Sequence, residues 1–253
     1  IAEGFGVEEI RAVATAALRE AENGPAFVED ARARFGLDIE VITPEEEAEL
    51  ALRSVRNNFA IDEAAAIVDI GGGSLEVVFT TAGVIDRIHS LPLGAVRLTE
   101  RFVHSDPIDE ADRAALREGI DREFEESIGD PPFATPDMIG SGGTFTTIAY
   151  MSMHQCCGQI GPVQGYAMTP TEFEHQVRRL REAPLALRRQ MPGLNPERAD
   201  IILAGATVIA RLARRLEVEH ILVNDRGVRD GIVLEMISRL SPVVPGGPAA
   251  SDA

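Results

Sequence analysis

An α/β fold built on a mixed sheet is predicted by two features of this sequence. Three closely spaced apolar runs, "AIVDI", "SLEVVFTT" and "VIDRIHSLPLG", start near Ala65 and are joined by glycine-bearing connections short enough for an antiparallel meander. Downstream, long stretches of helical periodicity alternate with the short apolar runs "DMIG" and "HILVN". With 253 residues, 45% of them hydrophobic, the chain is long enough to bury a core of that kind.

Taken in order, "IRAVATAAL" begins like a strand, "GPAFVEDARARFG" has helical spacing of Phe27, Ala31 and Phe35, and "LDIEVI" reads as a second strand, which makes a β-α-β fragment. Thr43-Pro44-Glu45-Glu46 then supplies a capping threonine, a proline at the first helical position and an acid three residues after the cap. A helix is expected from there to about Asn58. The meander follows, then the helix "DEADRAALREGIDREFEESI" and the strand "DMIG", which opens into the helix "SGGTFTTIAYM". Helices over "TPTEFEHQVRRLRE" and "NPERADIILAGATVIARLARRL", the strand "HILVN" and a last helix near residues 227–240 complete the pattern. The tail "PVVPGGPAASDA" is predicted to be disordered, because it cannot bury enough surface to offset ordering.

Charge and cysteine content restrict the function. The chain has 24 basic and 41 acidic residues, a net −17, so its average field repels nucleic acid and anionic membranes. No apolar run reaches the roughly 18 to 20 residues of a membrane helix. Cys156 and Cys157 are adjacent and read as a reduced, partly buried pair in a cytosolic protein; zinc held with His154 lacks the further ligands that a structural site takes.

The chemistry concentrates in "VDIGGGSLE" (68–76). Asp69 ends one strand and Glu76 starts the next, so a turn through Gly71, Gly72, Gly73 and Ser74 leaves two carboxylates opposite each other. Like charges at that range destabilise one another unless one takes a proton or a cation sits nearby. Mg²⁺ suits one or two carboxylates together with phosphate oxygens and water. Bare glycine amides and the Ser74 hydroxyl could meet phosphate directly, although a flexible hairpin turn alone would also explain a glycine triplet. A second loop, Gly140-Ser141-Gly142-Gly143-Thr144, runs from a strand into a helix, whose first turn is an anion site.

Paired phosphate loops of this kind resemble those of the actin, sugar-kinase and chaperone-ATPase superfamily. The motifs "VATAALREAEN" (13–23), "VITPEEEAEL" (41–50), "VDIGGGSLE" (68–76) and "GSGGTFTTIA" (140–149) together resemble the exopolyphosphatase/guanosine pentaphosphatase (Ppx/GppA) family; "LPLGAVRLTE" (91–100) and "VNDRGVRDGIVLEM" (223–236) support the match. The resemblance implies an actin-like, ribonuclease H-like domain over residues 59–241. Residues 1–58 would be the end of a first similar domain with a linking helix, and residues 242–253 the tail. The first domain's own phosphate loop would lie upstream of Ile1, as in an N-terminally truncated short form, and the edge left uncovered would favour a homodimer.

Activity and roles come from the same resemblance: a divalent-metal-dependent hydrolase acting on inorganic polyphosphate or guanosine pentaphosphate. Glu47 would activate water, Asp69 and Glu76 would hold Mg²⁺, and Arg19 would grip phosphate with the two glycine loops. Glu45 and Glu46 have local tasks at the helix start, and Glu47 has none. Arg19 could instead pair with Glu20 or Glu22 on the surface. Arg226 and Arg229 are further candidates. The alternatives are a phosphate- or nucleotide-binding module without catalysis and a sugar kinase on the same fold.

Overall fold

The computed structural model describes residue 4, residues 6–158 and residues 161–240. The tail predicted to be disordered lies outside the described residues. Strands β1 (Ala12–Ala14) and β2 (Ile39–Val41) pair in parallel. Between them run helices α1 (Ala16–Arg19) and α2 (Gly24–Phe35). Helix α3 (Pro44–Asn58) begins at a complete capping box: the Glu46 amide donates to Thr43 Oγ1 at 3.2 Å, and the Thr43 amide donates to Glu46 Oε2 at 2.8 Å.

The main sheet has six strands. They are β3 (Ala64–Ile70), β4 (Leu75–Thr81), β5 (Val84–Leu91), β6 (Asp137–Ser141), β7 (Ala167–Met168) and β8 (His220–Asn224), ordered β5-β4-β3-β6-β8-β7. The meander β3–β4–β5 is antiparallel, whereas β6 runs parallel to both β3 and β8. The predicted mixed sheet is therefore present, with its parallel part beginning at β3.

Side-chain alternation divides the two faces of this sheet. Val68 and Ile70 of β3, with Val77 and Phe79 of β4, enter the larger core. That core is closed by α5 (Glu110–Ser127), α6 (Gly143–Cys157), α7 (Pro170–Glu182) and α9 (Ile202–Arg215). On the other face Ile67, Val78 and Ile139 pack against Ala48, Leu52 and Val55 of α3. Helix α10 (Val228–Leu240) lies along α3 on that side, so closely that a Cβ on Gly231 would stand 2.1 Å from the Leu50 carbonyl oxygen. Three short helices were not predicted: α1 follows β1, α4 (Ala95–Phe102) follows β5, and α8 (Leu185–Arg188) follows α7. No described helix is long and apolar enough to cross a membrane.

Candidate active site

Asp69 and Glu76 are direct partners in the β3–β4 register. Counting by twos from Ile67 and Val78 puts both on the α3 face, where Glu47 occupies the first turn of that helix. Glu47 is only 7% exposed and Glu76 only 2%. Burial, and then the charge of Glu47, push the Asp69 carboxyl up to about 6. The same two causes push Glu76 up to about 7, opposed by the hydroxyls of Ser74 and Ser90. Ser90 Oγ donates to Glu76 Oε1 at 3.1 Å from the neighbouring strand β5. Glu47 is itself raised by burial, with Arg19 pulling the other way. Three carboxyl groups thus share one side of the sheet; the charge of Glu47 makes the other two harder to ionise, and that of Asp69 adds to the effect on Glu76.

The second glycine loop closes on the same point. Ser141, the last residue of β6, is the register partner of Asp69. Gly142 follows with φ of 101°, and a Cβ there would stand 2.5 Å from the Ile70 carbonyl oxygen and 3.2 Å from Asp69 Oδ1. Only glycine combines that backbone with that approach. The chain then enters α6, whose first-turn amides point out of the helix start. The turn between β8 and α10 also reaches the site, since a Cβ on Gly227 would be 3.8 Å from Asp69 Oδ2.

The loop Gly71–Ser74 does more than open amides to a ligand. The carbonyl of Gly73 accepts from the Gly94 amide at 3.3 Å, that of Gly71 from Ala95 at 3.0 Å, and that of Gly72 from Val96 and Arg97 at 3.0 and 3.1 Å. The glycine turn therefore caps the start of α4. A Cβ on Gly94 would lie 2.2 Å from the Gly72 oxygen, which explains the glycine in "LPLG". The Gly71 amide bonds the Ser74 carbonyl at 3.1 Å, while those of Gly72 and Gly73 have no acceptor among the described residues.

Two serines read as part of the phosphate loops are buried. Ser74 is buried with its hydroxyl on the Glu76 carboxyl. Ser141 is fully buried, and its Oγ accepts from Asn224 Nδ2 at 3.2 Å, in a network with Ser54 and the Arg226 carbonyl. Thr144 is also buried. The side chains of Ser74, Ser141 and Thr144 are thus all buried in these loops.

Arg19 does not form the surface pair that the sequence allowed. Its Nη1 donates to the Ile42 carbonyl at 2.8 Å and lies 3.4 Å from Glu47 Oε2, while Glu20 pairs with Arg97. Arg19 therefore orients Glu47, whatever else it binds. One cation escaped the sequence reading: the Arg198 guanidinium packs where a Cβ on Gly143 would be, 2.0 Å from Nη1, at the start of α6. A single 3-10 turn, Pro196–Arg198, sets it there. Its local sequence, "NPERAD", gives only a helix-start signal, and the contact with Gly143 is long-range. Arg226 lies 4.0 Å from Asp225, and its carbonyl accepts from Ser54 Oγ at 2.7 Å. Arg229 makes no ion pair among the described residues.

No group of three or more His, Cys, Asp or Glu side chains forms a cage for a metal among the described residues. Two opposed carboxylates of raised proton affinity do fit a hydrated Mg²⁺, which takes its remaining oxygens from water and phosphate.

Residues 1–240 match the family model described as the Ppx/GppA phosphatase family. Exopolyphosphatase 1 of Mycobacterium tuberculosis strain H37Rv is 29% identical over 243 residues, covering 94% of this chain and 70% of that protein. The guanosine-5'-triphosphate,3'-diphosphate pyrophosphatase of Vibrio campbellii is 26% identical over 92% of this chain and 46% of its own length. Among solved structures, the Aquifex aeolicus Ppx/GppA family member superposes with a TM-score of 0.81 at 30% identity, over 95% of this chain and 78% of that one. An exopolyphosphatase from Cytophaga hutchinsonii superposes with a TM-score of 0.86 at 25% identity, over 94% and 78%. These matches leave one conclusion: the chain belongs to the Ppx/GppA phosphatase family.

Proposed function

We propose that this protein is a phosphoanhydride hydrolase that removes the terminal phosphate of inorganic polyphosphate or guanosine pentaphosphate. The observation that carries the proposal is the facing of one buried glutamate, Glu47, to a register-matched pair of acids beside two glycine loops. A sugar kinase or a passive binding module has no need of a buried carboxyl with raised proton affinity opposite a cation site. The printed names of the mycobacterial and Vibrio relatives supply the two substrate classes.

In this reading Glu47 holds the attacking water and takes its proton as the oxygen adds to the terminal phosphorus. The bridging P–O bond breaks, and the shortened chain leaves with the electron pair. A carboxyl raised by burial is a better proton acceptor near neutral pH than a surface glutamate. Arg19 fixes its direction through the 3.4 Å contact. Asp69 and Glu76 would hold Mg²⁺, which when bound neutralises phosphate charge. The amides of Gly72 and Gly73 and the first turn of α6 bind phosphate oxygens, assisted by Arg198. Such a niche lets an acidic molecule accept a polyanion at one place only. We also assign residues 1–58 to the end of a first actin-like domain with its linking helix and residues 59–241 to the second. The setting proposed is the cytoplasm, where the free thiols of Cys156 and Cys157, exposed rather than partly buried as expected, stay reduced.

Phosphate release from long-chain polyphosphate and from guanosine pentaphosphate, each with Mg²⁺ and with EDTA, tests this directly. Release from at least one substrate, abolished by EDTA and by the double change Asp69→Asn/Glu76→Gln, is expected. No release from either substrate with Mg²⁺ present would refute the proposal.

A further inference from the structure

On the opposite side of the sheet from Glu47, Asp69 and Glu76, the outer faces of α5, α7 and α9 enclose a cavity of about 510 Å³. Each helix sends two arginines into it, one turn apart: Arg113 and Arg117 from α5, Arg178 and Arg181 from α7, Arg211 and Arg214 from α9. Those spacings put both members of a pair on one helical face, where like charges repel. Glu174 and Glu217 are the acidic side chains at the rim. In a chain with 24 basic and 41 acidic residues, this convergence opposes the average charge.

Local partners neutralise half of the cluster. Arg113 pairs with Glu110, Arg211 with Asp121, and Arg181 lies 3.7 Å from Glu182. Arg117, Arg178 and Arg214 are exposed and make no ion pair among the described residues. The floor is apolar, formed by Leu116, Val177 and Leu203, all buried. A volume of this size is ordinary for a pocket that takes a small organic ligand.

We propose that this cavity is a second ligand site, separate from the catalytic cleft, for a nucleoside polyphosphate. The two halves of such a ligand match the two halves of the cavity. Guanidinium groups fork onto phosphate oxygens and stack on the face of a base, and the apolar floor takes the base and sugar out of water. An inorganic polyphosphate chain shares the phosphate chemistry but leaves the floor unused.

Binding of fluorescent N-methylanthraniloyl-ATP in Mg²⁺-free buffer tests the proposal on the whole chain, with unlabelled ATP and inorganic tripolyphosphate as competitors. Expected are saturable binding, displacement by ATP at concentrations at least tenfold below those of tripolyphosphate, and a tenfold or greater loss of affinity in Arg178→Gln/Arg214→Gln. Glu47→Gln should bind as the wild type does. Both arginines are exposed, so the double variant should keep the thermal midpoint and the phosphate-release rate of the wild type. Unchanged affinity in the arginine variant would overturn the site, and equal competition by tripolyphosphate would overturn its nucleoside preference. Neither outcome depends on turnover, so failure of the hydrolase assignment would be seen separately.

Discussion

Glu47 is held by opposing influences: burial favours its protonated form, and the Arg19 guanidinium, with the Thr15 hydroxyl, favours the charged one. Removing the cation leaves only the Thr15 hydroxyl to oppose burial. In Arg19→Met the proton affinity of Glu47 should therefore rise, and the acid limb of the pH–rate profile should move to higher pH. Activity would fall more at pH 6 than at pH 8, and unmoved limbs would show that Arg19 acts elsewhere. Glu47 was singled out in the sequence by its place in a stretch that resembles the family's, while its neighbours have local tasks: Glu46 completes the capping box and Glu45 lies in the first turn. Arg198 was not legible, since its neighbour Gly143 is reached only through tertiary packing. Ser74 and Ser141 misled for a related reason. A serine in a glycine loop looks like a free donor until the fold buries its side chain.

At the scale of elements, the hairpin β3–β4 and helix α3 were readable because local rules decide them. Alternation, a short turn and a capping box need no distant partner. Helix α4 was lost because "LPLG" continues an apolar run, and its start is capped by carbonyls from the loop Gly71–Gly73 rather than by a side chain of its own. That packing makes Gly94 a sensitive position. In Gly94→Ala the added methyl would lie 2.2 Å from the Gly72 oxygen, and backbone cannot yield as a side chain does. The expected cost is about 1–3 kcal/mol in denaturant unfolding, of the order found for overpacked sites. Phosphate release should fall with it, because the displaced loop carries the amides proposed to meet phosphate. An unfolding midpoint equal to that of the wild type would show that the loop is not held by α4.

For the whole molecule, composition and period sufficed for the α/β class, but the order of strands was not written locally. That β6 lies beside β3, bringing Ser141 to Asp69, depends on which strands share a core. The same assembly makes stability depend on pH. Asp69 and Glu76 have folded values of about 6 and about 7, above their ordinary 3.8 and 4.5. Protonation of these groups favours the folded state, so that stabilisation is complete below the ordinary values and is lost as pH rises through the folded ones. Net −17 charge acts in the same direction. In EDTA the thermal midpoint should fall between pH 5 and pH 8, and Mg²⁺ should restore it at pH 8 far more than at pH 5, where protons already occupy the pair. Equal Mg²⁺ effects at both pH values would separate the cation from these carboxylates. The most direct test of the account as a whole is single-turnover phosphate release from polyphosphate by Glu47→Gln, with substrate binding measured in parallel. A loss of about 10²- to 10⁴-fold in rate with binding retained is predicted for a missing base. Release at the wild-type rate would contradict the assignment of Glu47 and, with it, the mechanism.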